Sequence, residues 1–333
     1  MAGSNTTSTA IPASSKMSFS APSAPILISA LLGYILLVRL LRYRALAALH
    51  RDYPYKTRAS LATMTNADAT KIQATVFETE FPFTAEKALQ FALFKTYGIP
   101  SISKVLVKTG QFAGKMASRR FADTEVLISE FTAWAPDSDR ATEAIARMNY
   151  LHNLYRKSGL ITDDDLLYTL ALFALEPKRW IARYEWRKMS DIELAAFGTF
   201  WHALGVAMSI PTTALGPFED GLSYLDAIEK WSDDYEARTM VHHPNNQIAG
   251  DATAALLLWD VPHFLHGFGR QVVAALMDER LRLAMGFEKP PRWVAGLVHG
   301  GLLVRKYAIR YLALPRPYVL RRRTVEDEPG RDG

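Results

Sequence analysis

The residues best suited to redox or acid–base chemistry in this chain are Glu130, Arg147 and His152, all within one helical stretch. His152 lies four residues after Met148 and seven after Ile145 in ATEAIARMNYLHNLY, so its imidazole projects from the apolar face of a helix. A neutral imidazole in an apolar slot is what an axial haem ligand needs, and equally what a core histidine bonded to a backbone carbonyl looks like. Arg147 is five residues earlier, about 140° around the helix, so the two side chains cannot aim at one point. That leaves Arg147 as a rim group for a propionate or substrate carboxylate, or as the ion-pair partner of Glu143. Glu130, in TEVLISEFTAW, sits among apolar neighbours, where burial would raise its pKa toward that of a general base; facing an arginine, it would be structural.

The other histidines are weaker candidates. His242 and His243 fall in a polar turn before Pro244, and His202 reads as a satisfied helix-surface residue. His263 and His266, three apart, could share a helix face, which makes His266 a second candidate ligand. Cysteine is absent, which removes disulfides, thiolate nucleophiles, iron–sulfur clusters and thiolate-ligated haem together. No phosphate loop, His-Glu-x-x-His or Gly-x-Ser-x-Gly occurs, and GQFAG at Gly110 lacks the Lys-Ser/Thr ending. The net charge of +5 is concentrated near the chain ends rather than in a basic, aromatic stripe, which points to membrane phosphates and away from nucleic acid.

The elements that must position these residues read as helix after helix. Residues 1–20 are rich in Ser, Thr and Ala and are expected to be a disordered lumenal tail. Residues 21–42 then form a transmembrane helix, since APILISALLGYILLVRLL carries only Arg39. Arg39, Arg42, Arg44 and Arg51 follow the apolar run, which places the body at 43–320 in the cytosol and the N-terminus, with its Asn5 glycosylation sequon, on the lumenal side. Ser190 with Glu193 is a capping box, Thr162 with Asp165 a weaker one, and Thr84 and Asp251 read as further helix starts. Gly269 to Ala284 and Trp293 to Leu312 read as two late helices, prolines such as Pro177 mark seams, and 321–333 is a charged, disordered tail. Period-2 alternation is scarce, so the body is all-α, a single multi-helix domain of 49% hydrophobic composition.

Several stretches resemble the family of fungal MpaB-type oxygenases and bacterial rubber oxygenases (latex-clearing proteins): EFPF at Glu80, QFALFKTYGIPSIS at Gln90, LLYTLALFALEP at Leu166, YEWR at Tyr184, GTFWHALG at Gly198, YEARTMV at Tyr235 and MDERLRLAM at Met277. The resemblance runs over nearly the whole chain. It implies an endoplasmic-reticulum-bound oxygenase that uses molecular oxygen to cleave a C=C bond in the farnesyl-type chain of a terpenoid or meroterpenoid in fungal secondary metabolism. It also implies haem b as cofactor, with Glu130 as base and Arg147 as the arginine that follows it in the family's order and near spacing. The bacterial proximal histidine would fall near Ala171, where this chain has none, so the resemblance makes His152 the leading axial ligand. A non-haem metal oxygenase using His152 with carboxylates is one alternative. A membrane-bound prenyl-binding protein without catalysis is the other, because the fungal relatives continue well past the Pro-Arg-Pro at Pro315.

Overall fold

The structure, a computed structural model, describes residues 23–110 and 115–322, with side chains described from residue 122 onward in the second segment. The expected tail 1–20, Asn5, and the tail beyond residue 322 lie outside the described residues. Fourteen α-helices and no strands are found among the described residues. They are α1 (Ala24–Asp52), α2 (Arg58–Leu61), α3 (Asn66–Ala74), α4 (Pro82–Thr96), α5 (Pro100–Lys108), α6 (Lys115–Ala133), α7 (Asp139–Arg156), α8 (Asp163–Tyr184), α9 (Asp191–Ala207), α10 (Gly221–Thr239), α11 (Pro244–Leu257), α12 (His266–Leu276), α13 (Glu279–Ala284) and α14 (Arg292–Tyr311). A π-helical segment, Thr75–Glu80, joins α3 to α4.

The centre of the bundle is α8, whose residues from Asp165 to Pro177 are almost all buried. It packs on α4, α9, α10 and α14, while α3 lies on α9 and α6 pairs with α7. Both predicted capping boxes form. Glu193 accepts from the Ser190 amide at 2.7 Å, and Thr162 and Asp165 exchange bonds of 3.1 and 3.3 Å. Helix α1 is long and apolar enough to cross a bilayer, but it continues to Asp52, well beyond residue 42.

Four boundaries differ from the sequence reading. Pro82, not Thr84, opens α4, because its missing amide is harmless in the first turn. Thr84 instead donates to Glu185 at 2.6 Å. Helix α11 starts at Pro244, capped by the His243 ring accepting from the Asn245 amide at 3.1 Å, so Asp251 is mid-helix. The segment from Gly269 to Ala284 is two helices, broken at Met277 and restarted by Asp278, which caps the Leu281 amide. Pro177 lies inside α8, where burial on every side outweighs the bond that proline cannot donate.

Two buried charge networks hold these helices. The Lys95 ammonium on α4 meets Glu236 of α10 at 2.9 Å, Asp278 at 3.2 Å and Glu176 of α8 at 3.5 Å. Tyr168 donates to Glu236 at 3.1 Å, and Arg179 and the Trp180 indole close on Glu176 at 3.3 and 3.2 Å. Burial alone would drive the Lys95 proton off; Glu176, Glu236 and Asp278 outweigh it and hold its pKa above the ordinary value. The second network is built on the YEWR stretch. Arg187 bridges Glu193 at 2.7 Å and Glu80 at 3.0 Å, Glu185 accepts from Arg305 of α14 at 3.0 Å, and Tyr184 pairs with His299 at 3.0 Å.

Removing one partner from a buried network strands the opposite charges, at a cost of about 3–5 kcal/mol. Lys95→Met should therefore lower the unfolding free energy by about that amount, measured by denaturant titration of the detergent-solubilised full chain. Adding Glu176→Gln and Glu236→Gln to it should restore much of the loss. A single-variant loss below about 1 kcal/mol, as for an exposed pair, would show that this network does not hold the bundle.

Candidate active site

The chain from Ala74 to Pro82 does not continue as one helix. Thr75–Glu80 widens into a π turn, and the Phe81 amide reaches back five residues to the Val76 carbonyl at 2.9 Å. Phe81 then buries its ring completely, 4.8 Å beneath the Arg187 guanidinium, and Pro82 starts α4. Such π segments are rare and concentrate at functional sites. This one opens a cavity of about 120 Å³ between α3, α4 and α6, with Phe173 of α8 among its walls.

The walls are mainly Ala74, Phe77, Ala85, Leu89, Leu93 and Ile128. Behind them an aromatic cluster fixes the shape: Phe77 meets Phe197 at 5.3 Å, and Phe173 stacks on Trp201 at 5.8 Å. Gly198, next to Phe197 and three residues before Trp201 on α9, must be glycine, because a Cβ there would fall inside the Gly221 carbonyl of α10. Among the polar lining groups Gln73 stands out. Its side-chain amide donates to the Thr132 carbonyl at 3.3 Å, which fixes the amide's orientation, and its Oε1 is left buried without a partner. An unpaired buried acceptor costs about 1–3 kcal/mol, so it marks a place where a donor on a bound molecule would be accepted. Glu78 and Glu86 also lie on the lining, together with Arg322. The Arg322 amide donates to the Glu78 carbonyl at 2.9 Å and its guanidinium meets Glu86 at 2.7 Å. Burial raises the Glu78 carboxyl above the usual range despite the nearby Arg321, making it the cavity carboxyl with the shifted proton affinity.

Glu130, Arg147, His152 and His266 are not among the residues that line this cavity. Glu130 lies next to the lining residue Ser129, but its carboxylate is held by Arg140 in a two-pronged pair at 2.7 and 3.1 Å. Arg147 is exposed on α7, 5.7 Å from the Tyr150 ring, and no bond joins it to Glu130. His152 is half-buried on α7 and off the cavity wall; burial, with a smaller contribution from Arg156, lowers its pKa to about 4. His266 is engaged with the Val261 carbonyl at 2.8 Å, and its ring lies 4.8 Å from that of His263. His202 is half-buried between Phe218 and Tyr224 rather than on the surface.

For haem, His152 supplies suitable donor chemistry, a neutral imidazole. However, no imidazole lines the cavity, and Ala171 is packed with no exposed surface. The residues present do not fit a haem against this cavity, and no step below runs through iron. Among the described residues no group of three or more His, Asp or Glu is arranged to hold a metal ion. Gln73 and the π turn carry no motif that could have singled them out; EFPF, at the end of that turn, was the nearest signal.

Residues 96–305 match the family model described as ER-bound oxygenase mpaB/B′/rubber oxygenase, catalytic domain. The chain is 45% identical over 315 residues to the ER-bound oxygenase mpaB′ of Penicillium brevicompactum, covering 92% of this chain and 74% of that protein. It is 45% identical over 260 residues to the ER-bound oxygenase mpaB of Penicillium roqueforti (strain FM164), covering 77% of this chain and 87% of that one. A second Penicillium brevicompactum protein, ER-bound oxygenase mpaB, is 41% identical over 315 residues. The α3 and α4 walls of the cavity precede residue 96, whereas Ile128 and Phe173 fall inside the matched region.

The His152 environment predicts a pH dependence. The folded state resists protonation down to about pH 4, whereas the unfolded chain takes up the proton near the ordinary histidine value of about 6.5. Stability from this group is complete above pH 6.5 and falls as pH drops from about 6.5 to 4. His152→Phe should flatten that limb of a stability–pH curve measured by thermal unfolding in detergent. An unchanged slope would show that the imidazole is not desolvated.

Proposed function

The chain belongs to the family of ER-bound mpaB-type oxygenases and rubber oxygenases, and on that basis we propose that it cleaves a C=C bond in the prenyl side chain of a membrane-dissolved substrate. One alkene and one O₂ give two carbonyl compounds, so atoms balance without an external reductant. We further propose that the chain is anchored by α1 in the endoplasmic reticulum membrane, with the body on the cytosolic face.

The observation that carries the substrate reading is the cavity itself: apolar walls with one unpaired acceptor. An engineered apolar cavity of about 150 Å³ takes benzene, so about 120 Å³ suits one isoprene unit rather than a whole farnesyl chain. The double bond would sit among Phe77, Leu89, Leu93 and Phe173, where water has few partners, and a hydroxyl or N–H donor would satisfy Gln73 Oε1. The rest of the molecule would extend past Glu78, Glu86 and Arg322. Desolvation by those walls holds the alkene in one orientation, and Glu78, with its raised proton affinity, is the group placed to take or return a proton there.

The full chain in nanodiscs, supplied with a farnesylated aromatic substrate under ¹⁸O₂, should yield a shortened carbonyl product with ¹⁸O in both fragments. Substrate binding without oxygen uptake would replace the oxygenase reading with that of a prenyl-binding protein.

The Gln73 assignment has its own signature. Gln73→Leu removes a buried unpaired acceptor together with the long bond to Thr132, two effects of opposite sign. Stability should therefore change by less than about 1 kcal/mol while KM rises about tenfold, the equivalent of about 1.4 kcal/mol. Lost stability with unchanged KM would make Gln73 a structural residue only.

A further inference from the structure

If α1 spans the bilayer, the body cannot stand clear of it. This step rests on the anchor reading above. From Ala24 to Tyr34 every residue of α1 is exposed, Ile35 is partly covered, and Val38 is fully buried against the body. Those first eleven residues reach only about 16 Å, whereas the hydrocarbon core is about 30 Å thick and takes about 20 residues. A span starting at Ala24 therefore ends near Tyr43, by which point the body is already packed on the helix. Either α1 fails to cross, or part of the body lies within the leaflet.

The part beside α1 is the end of α14 and the segment after it. Tyr34 donates to the Leu312 carbonyl at 2.7 Å, and Arg42 donates to the Ala313 and Leu314 carbonyls at 2.9 and 3.1 Å. Tyr34 and Arg42 are about 12 Å apart along the axis, so residues 312–314 lie at the depth of the apolar stretch. Continuing from there, α14 exposes a stripe of Trp293, Leu297, Val304 and Tyr307, spaced to share one face. The sequence from Trp293 to Val304 contains no charged residue. At its far end Trp293 stacks on Phe268 at 5.9 Å, which extends the surface to Phe264, the most exposed ring there at 83%. So large a contiguous apolar face marks an interaction surface.

We propose that this face, from α14 across to Phe264, is embedded in the headgroup and upper acyl region of the leaflet that α1 leaves. Its partner is then the lipid bilayer itself. Charge favours lipid over a second copy of the chain: between Lys289 and Val325 there are nine Lys or Arg and no Asp or Glu. Two copies would bring like charges together, whereas an anionic leaflet complements them. Aromatic and aliphatic side chains on one face with basic residues around them form the pattern of interfacial helices.

The absence of native cysteine makes the test direct. Single-cysteine variants Val304→Cys, Phe264→Cys, Leu32→Cys and Val241→Cys of the full chain are spin-labelled and placed in nanodiscs of phosphatidylcholine with phosphatidylserine. Relaxation by oxygen is compared with relaxation by a water-soluble nickel chelate. The labels at 304 and 264 should show an oxygen-to-nickel ratio several-fold above that at 241, which is exposed and off this face. Ratios at 304 and 264 equal to that at 241, with a lipid-like ratio at Leu32, would overturn the embedded face and leave the anchor standing. A water-like ratio at Leu32 would overturn the anchor reading beneath it. Dipolar broadening between labels at 304 on two copies would assign the face to self-association and overturn the proposal.

Discussion

A lysine ammonium inside a helical bundle is tolerable only if carboxylates reach it from several directions, and that requirement organises this structure. Lys95 of α4 draws Glu176 from α8, Glu236 from α10 and Asp278 from the start of α13 to within 3.5 Å. None of these helices can slide without separating a buried pair; the Trp180 indole donates to the Glu176 oxygen that the cations leave open, and Tyr168 joins Lys95 on Oε1 of Glu236. Hydrophobic contact among α4, α8 and α10 would permit several registers; the charges select one. The seven stretches that carry the family resemblance now have a physical reading. Lys95, Glu176, Glu236 and Asp278 come from four of them, and Glu80 with Arg187 comes from two more. They are one another's partners across the bundle, so most of the motif positions serve the scaffold rather than touch the cavity.

The YEWR junction extends that scaffold to α1. Trp186 is fully buried between Tyr43 of α1, at 5.2 Å, and Phe81, at 6.2 Å, with Arg42 5.3 Å from its ring. Its neighbours in sequence fasten different elements: Glu185 holds α14 through Arg305, and Arg187 holds the end of the π turn through Glu80. One short segment thus fixes α1, the last long helix and the wall of the cavity relative to one another. The cavity is therefore oriented to α1 by packed side chains.

What was legible in the sequence was local or periodic. Capping boxes at Thr162 and Ser190 involve residues three apart, and the apolar run of α1 needs no partner to be recognised. Helix boundaries failed where tertiary burial overrode a local rule. Pro177 stays helical because its surroundings are closed, and Pro244 begins a helix because a histidine ring, seldom a cap, accepts the free amide. Glu130 was legible as a carboxylate among apolar residues that could face an arginine, and that arginine is Arg140, ten positions on. The cavity was not legible. Its walls are ordinary Ala, Leu and Phe, and the π turn that opens it has no periodic signature.

Rigidity and openness are distributed unevenly for a physical reason. The cavity lies between α6, which pairs chiefly with α7, and the far more constrained α4–α8 pair. Its other boundaries are a π turn with its wider hydrogen-bond ring and the Arg322 segment, fastened through the Glu78 carbonyl and the Glu86 and Glu78 carboxylates. Among the described residues no bond of the Lys95 network reaches α6 or Arg322. The charge network thus fixes the α4–α8 side of the cavity, and the α6 side lies outside it.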